Sequence, residues 1–297
     1  MPLNNFYPRL PDTIIEENCP LSHLTTLGTG GTAEFFAQPE TVSQLQEIIR
    51  SAKNIPVYII GGGSNILIPD GKIPGLVISS RKLDAVSWRD DFTAEIGAGL
   101  SLPGLVKTLR ERNIGGLEFA AGVPGTLGGA VSGNAGAGGH GVCEHVDTVN
   151  AVDSSGNLAA FSRGDFSYGY RHCDIRGVII VSAVMSWDGS AWNEEEYSAF
   201  IDRRKSQPLK FRSAGCTFKN PEGHSAGKLL DECGCKGLRF GGAVVSDIHA
   251  NFIINAGNAT SHDVWELAGM CADRVFDCTG IKLEPEIKAL SPCFSLK

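Results

Sequence analysis

The residues that could do chemistry here begin with two glycine-dense loops. At 58–68 the sequence runs YIIGGGSNILI, an apolar run ending in Gly61, Gly62 and Gly63, then Ser64 and Asn65, before apolar residues resume. At 116–139 it runs GLEFAAGVPGTLGGAVSGNAGAGG, where glycine and alanine fill more than half of the positions. Glycine loses more conformational freedom on folding than any other residue; what it offers is φ > 0 and close approach of backbone to a neighbour or ligand. A strand that opens into such a loop can point several backbone N–H groups into one concavity, a nest for phosphate oxygens. The first loop fits neither G-x-G-x-x-G nor the Walker pattern, and a sharp turn alone would also use glycines. Taken together, two such loops, both lacking lysine and arginine, suit a dinucleotide whose pyrophosphate is held by backbone donors.

A second feature is electrostatic. The formal net charge of −7 argues against nucleic acid as a general partner. Between Arg203 and Arg239, however, nine basic residues (203, 204, 205, 210, 212, 219, 228, 236 and 239) face three acidic ones, Glu222, Asp231 and Glu232, so this segment carries +6. Either a solvated surface or a pocket for an anionic small molecule would produce that pattern. The nine cysteines form no C-x-x-C pair, CGC at 233–235 stands alone, and the seven histidines show neither H-x-x-x-H nor H-E-x-x-H spacing. Reduced thiols and no metal site are expected.

The elements that must position these groups are mixed. PVYII (56–60), GLVIS (75–79), TAEIGAG (93–99), VNAVD (149–153), LAAFS (158–162) and GVIIVSAVMSW (177–187) read as strands, with a hairpin at VDSSGNL. Thr41 and Gln44 form a capping box before an apolar stripe of Val42, Leu45, Ile48, Ile49 and Ala52. A second helix starts near Ser101. A third runs from Ser261, with Val264, Ala268, Cys271, Val275 and Cys278 on one face, until Gly280 stops it. The sparse apolar pattern of 190–212 reads as a boundary. The start, MPLNNFYPRLPD, has no basic region leading into an apolar run, and no stretch approaches the ~18 apolar residues of a membrane span. A cytoplasmic protein without membrane insertion or obligate protein partner is expected.

With these segments in view, the chain resembles the UDP-N-acetylenolpyruvoylglucosamine reductase family. LGTGGTAEFF (27–36), IIGGGSNILI (59–68), the glycine-alanine segment, YGYR (168–171), SAGCTFKNP (213–221), AGKLLDECGCKG (226–237), VSDIHANFIIN (245–255) and GIKLEPEI (280–287) are similar to that family's signature segments, in its order and over nearly the whole chain. The length, without a large insertion after Arg171, resembles the shorter of its two subtypes. The resemblance implies an α+β fold: a two-lobed FAD-binding domain of the vanillyl-alcohol-oxidase type, with lobes at about 1–80 (286–297 returning to it) and 81–189, and a substrate domain at about 200–285. It implies FAD and NADPH as cofactors and a UDP-sugar as substrate. The FAD pyrophosphate would meet Gly61, Gly62, Gly63, Ser64 and Asn65 and, in the second loop, Gly122, Val123, Pro124, Gly125, Gly128 and Gly129, with Asn134 nearby.

The implied reaction adds hydride to the far carbon of an enolpyruvyl double bond, pushing charge onto the adjacent carboxylate. Cations or donors must stand preorganised where that charge grows. Arg171 and Glu286 match the family's pair for this task, and a glutamate donates to an enolate only when protonated. Cys216 stands where most of the family carries serine and would protonate the other carbon. Tyr170, Lys219, Asn220 and Lys228 would bind the substrate. Cys173, Cys271 and Cys278 read as small buried hydrophobes. A flavin oxidase of the same fold and a non-catalytic FAD- or UDP-sugar-binding protein are the alternatives at this stage.

Overall fold

The computed structural model describes residues 15–52 and 55–293. Residues 1–14 and 294–297, the outer ends of the expected first lobe and of its returning segment, lie outside the described residues. The chain opens with β1 (Ile15–Pro20), β2 (Thr32–Ala37), α1 (Val42–Ser51), β3 (Val57–Ile60), β4 (Ile66–Leu67) and β5 (Lys72–Ser79). The sheet order is β1-β2-β5-β3, with β1 antiparallel to β2 and β5 parallel to both β2 and β3. Parallel strands require a crossover, and α1 provides the one from β2 to β3, which flank β5. Its start is fixed by the capping box: Thr41 Oγ1 accepts the Gln44 amide at 3.2 Å and Gln44 Oε1 accepts the Thr41 amide at 3.3 Å. Leu45, Ile48 and Ile49 face the sheet's core.

There follow β6 (Val86–Trp88), β7 (Thr93–Gly97), α2 (Leu102–Glu111), α3 (Leu127–Ser132), β8 (Gly136–Ala137), β9 (His140–Gly141), β10 (Val146–Asp153), β11 (Leu158–Ser162), β12 (Tyr168–Gly169), β13 (His172–Cys173) and β14 (Val178–Ser186). The main sheet, β11-β10-β14-β7-β6, is antiparallel throughout. The glycine-alanine segment is therefore not one long loop: α3 lies within it and buries Leu127, Ala130 and Val131. A Cβ on Gly128 would lie 2.8 Å from that of Ala98, so this glycine lets α3 pack against the residue just beyond β7.

The last part comprises α4 (Glu194–Arg204), β15 (Arg212–Ser213), α5 (Ala226–Glu232), β16 (Arg239–Phe240), β17 (Ala243–Val245), β18 (Ile253–Asn255), α6 (Ser261–Thr279) and β19 (Lys288–Ala289). Its antiparallel sheet, β15-β18-β17-β16, is covered by α6 through Val264, Leu267, Ala268, Cys271 and Val275. Gly280, at φ +73°, ends α6 with its amide donating to Phe276 O at 2.7 Å. The chain then returns: β19 pairs in parallel with β4, Lys288 opposite Ile66 and Ala289 opposite Leu67. No helix among the described residues is long and apolar enough to cross a membrane.

The structure departs from the sequence pattern at two places. Residues 190–212 are not a bare boundary, since 194–204 fold as α4. That helix has no fully buried residue; it is specified by its ends, with Asn193 Oδ1 accepting the Glu196 amide at 3.1 Å, three glutamates in the first turn and Arg203 and Arg204 in the last. Tyr197 and Phe200 rest against the second lobe's core. Cys278 is exposed, not buried. Although it continues the stripe in helical phase, residues 276–279 all face solvent. Cys173 and Cys271 are buried as expected, and all nine cysteines are free.

Candidate active site

The two glycine loops meet face to face. A Cβ on Gly62 would lie 2.5 Å from the Gly125 Cα, one on Gly61 2.5 Å from Thr126 Oγ1, and one on Gly125 2.8 Å from Ser64 Oγ. Ser64 Oγ donates to Pro124 O at 3.2 Å, linking the loops directly. Carbonyls of the first loop are tied back. Arg81 donates through Nε to Gly61 O and through Nη2 to Gly62 O, both at 3.0 Å, and Gly63 O accepts the Thr26 amide at 3.0 Å. The amides of Gly62, Gly63 and Ser64, by contrast, donate to no acceptor among the described residues. Engaged carbonyls and free amides, with Gly63 at φ +68°, form a nest for an anion.

Thr126 gives the fit of a dinucleotide an independent check. Its hydroxyl is buried between the loops, does not cap α3, and has no hydrogen-bond partner among the described residues. A buried hydroxyl left unsatisfied costs ~1–3 kcal/mol, which a phosphate oxygen would relieve. The residues present therefore fit the pyrophosphate of FAD. Within the expected set the positions differ. Gly129 leaves room beside Thr126, whereas Val123 packs on the core and its amide is spent on Ala120 O. Asn134, buried at φ +41°, commits its side chain to the Gly169 carbonyl (2.9 Å) and the Cys143 amide (3.0 Å). Asn65 donates through Nδ2 to Glu286 O at 3.1 Å, and its main-chain carbonyl accepts the Lys288 amide at 3.2 Å. Both asparagines thus brace the neighbouring segments with these groups.

Asn65 leads to the second group. Residues 284–287 run antiparallel to 217–219, with the Glu286 amide donating to Thr217 O at 2.8 Å and the Lys219 amide to Glu284 O at 2.9 Å. On the other side, the buried Asn251 holds both main-chain groups of Phe218, Oδ1 accepting its amide at 2.9 Å and Nδ2 donating to its carbonyl at 2.8 Å. Cys216 and Glu286 are thereby brought to one face. Arg171 reaches them from the β12–β13 turn at φ +55°, a left-handed conformation that costs a non-glycine residue ~1–3 kcal/mol and is retained where surroundings impose it. Its Nε donates to Glu286 Oε1 at 2.5 Å and its Nη1 to Gly136 O at 2.8 Å.

The electrostatics of this group are coupled. Burial pushes the Glu286 carboxyl above the ordinary carboxylate range, and Arg171 pulls it back only in part. Burial, reinforced by the charge of Glu286, pushes the Cys216 thiol up to about 11, opposed by Arg171 and Arg204. At neutral pH this thiol keeps its proton.

Tyr170 and Lys219 border the same group. The Tyr170 hydroxyl accepts the Asn220 amide at 3.3 Å, and Lys219 pairs with Glu284 at 2.5 Å while its charge reaches Glu286. The Asn220 side chain accepts the Ala226 amide at 3.0 Å, at the start of α5. Lys228 stands apart on the solvent face of α5, 3.7 Å from Glu232. Several functional candidates escape a reading of types and spacing. Arg81 follows a strand in an ordinary SSRK run, and Lys288 lies beyond the LEPE motif with its ammonium drawn down by burial. Arg204, in the charged run 203–205, stands beside Gly122, whose added Cβ would be 3.0 Å from its Nε. Of these, Arg204 carried a signal in the basic segment 203–239, and Thr126 in PGTLGG.

Two glycine loops that meet as an anion nest, beside the buried Glu286 and the Cys216 thiol of the C-terminal part and the Arg171 guanidinium on the β12–β13 turn, are the groups a flavin-dependent oxidoreductase needs, and the family described as "FAD binding domain" matches residues 33–162. The C-terminal domain of UDP-N-acetylenolpyruvoylglucosamine reductase matches residues 207–290. The chain is 38% identical over 278 residues to the enzyme of that name from Protochlamydia amoebophila, covering 92% of this chain and 93% of the relative. It is 40% identical over 287 residues to that from Desulfosudis oleivorans, covering 90% and 92%. The crystal structure of the Thermus caldophilus enzyme superposes with a TM-score of 0.80 at 33% identity, covering 93% of this chain and 99% of that one. The chain belongs to the UDP-N-acetylenolpyruvoylglucosamine reductase family, FAD-dependent oxidoreductases of peptidoglycan precursor synthesis. That membership sets aside the oxidase and non-catalytic readings.

Proposed function

We propose that this protein reduces the enolpyruvyl ether of UDP-N-acetylglucosamine to UDP-N-acetylmuramate in the cytoplasm, with NADPH as reductant. The observation that carries the reading is the convergence of Arg171, Glu286 and the protonated Cys216 on one face. FAD, held by the two glycine loops, would supply the hydride. The substrate carboxylate competes with Glu286 for Arg171, and weakening that ion pair lets burial raise the Glu286 pKa further, so that the glutamate takes up a proton and donates it as a hydrogen bond to the developing enolate. Cys216 delivers its proton to the adjacent carbon. Gly61–Ser64, Gly125 and Thr126 hold the pyrophosphate, while Asn65 and Asn134 act as braces. The division into lobes at 1–80 and 81–189 and a substrate domain at 200–285 belongs to the same proposal, with α4 docked on the second lobe. In the direct test, purified protein with FAD, NADPH and the enolpyruvyl ether yields a product two hydrogens heavier, one NADPH consumed per product. Unchanged substrate would contradict it.

Lys219 provides a narrower check. As a charge beside the site it contributes uniform binding of the UDP-sugar, so Lys219→Ala is expected to raise the KM for that substrate about tenfold or more with little change in the KM for NADPH. An effect confined to NADPH would remove Lys219 from the substrate site.

A further inference from the structure

His249, in the connection from β17 to β18, is a half-buried imidazole that the proposed chemistry does not use. The connection is tightly folded: the Ser246 hydroxyl accepts the amides of Ile248 and His249 at 3.2 and 3.4 Å, and the Phe252 amide donates to His249 O at 3.0 Å. The ring stands edge-on to Phe252, with centroids 5.1 Å apart, and packs on the first turn of α5, where a Cβ on Gly227 would lie 2.8 Å from His249 Cε1. So placed, Nδ1 accepts the Asn251 amide at 3.2 Å. That role is open only to a neutral imidazole with its proton on Nε2, and burial draws the His249 pKa below its ordinary value.

Asn251 in turn holds the strand that follows Cys216. Its carbonyl accepts the Thr217 amide at 2.8 Å, and its side chain brackets both main-chain groups of Phe218. Thr217 O carries the Glu286 amide at 2.8 Å. One asparagine therefore fixes the two residues after Cys216 and, through them, the segment bearing Glu286, while His249 holds the main chain of that asparagine from the other side. We propose that His249 is a positioning residue for the reduction: through Asn251 it sets where the Cys216 thiol stands relative to Glu286. The inference rests on Cys216 as the proton donor. A misplacement of about 1 Å can cost a reaction on the order of 10²-fold, so a residue that touches no reacting group can still govern the rate. The bond from a side chain to the amide two residues on is also the one asparagine makes in an Asx-turn, so asparagine can replace His249 and leucine cannot.

The test follows both half-reactions of the FAD-loaded protein by rapid mixing. His249→Leu is expected to keep its FAD and to be reduced by NADPH at the wild-type rate, but to be reoxidised by saturating enolpyruvyl substrate about tenfold or more slowly. His249→Asn is expected to stay within about twofold of wild type. Gly227→Ala favours the helical state of α5 yet crowds the imidazole, and is expected to slow reoxidation about threefold without touching His249 itself. In a Cys216→Ala background, His249→Leu is expected to add no further loss, because both act on one step. Wild-type reoxidation in His249→Leu or Gly227→Ala beside a slow Cys216→Ala would overturn the positioning role alone, as would an equal loss from His249→Leu with and without the thiol. Wild-type reoxidation in Cys216→Ala would bring down the proton-donor reading and this inference with it.

Discussion

Cys216→Ala enzyme is expected to have its flavin reduced by NADPH at the normal rate but reoxidised by the enolpyruvyl substrate about a hundredfold or more slowly. General-acid catalysis is typically worth ~10²–10⁴-fold, and the thiol acts only after hydride transfer. Cys216→Ser is expected to retain much of the turnover, because a hydroxyl can occupy the same position and donate. The pH dependence separates this role from that of an ordinary cysteine. A free thiol ionises near ~8.5, so an unperturbed donor would lose its proton across pH 8 to 9. Here burial and Glu286 raise the pKa to about 11. The protonated, active form therefore prevails below that value, and the Cys216-dependent part of reoxidation is expected to stay flat from pH 7 to about 9.5 and to fall only as pH approaches 11. Rapid-mixing measurements of both half-reactions decide it. Wild-type reoxidation in the alanine variant would mean the proton comes from elsewhere.

Gly62→Val and Gly125→Val are expected to give folded, colourless proteins. A side chain at Gly62 would collide with the Gly125 Cα at 2.5 Å, and one at Gly125 with Ser64 Oγ at 2.8 Å, on top of a φ of +116° that valine resists. Either forces the loops apart where the pyrophosphate would lie. FAD affinity is expected to fall at least about a hundredfold, a loss of ~3 kcal/mol, while far-UV circular dichroism keeps its wild-type shape. Stoichiometric FAD in both variants would dismiss the cradle.

What was legible in the sequence was local. Thr41 with Gln44, the halt at Gly280 and the alternating strands are set by neighbours a few residues away, and each stands where expected. The glycine loops were visible as composition, but not that Gly62 faces Gly125 across 63 positions of chain. Pairing of 284–287 with 217–219 and of β19 with β4 is likewise non-local, and no periodicity announces it. Helix α4 escaped because caps and charges specify it more than an apolar stripe does. Asn65 and Asn134 show a subtler limit. Their type and position suit a phosphate loop, yet part of their bonding capacity is spent holding Glu286 and the YGYR turn in place. Cys278 kept helical phase and still faces water, because phase sets direction and not what lies there to pack against.

The central claim is that hydride from NADPH passes through FAD to an enolpyruvyl double bond on this chain. An anaerobic titration followed in the flavin absorbance bands tests it most directly. Expected are bleaching by one equivalent of NADPH and full recovery of colour when the enolpyruvyl ether of UDP-N-acetylglucosamine is added without oxygen. Flavin that bleaches with NADPH and stays reduced in the presence of that substrate would contradict it.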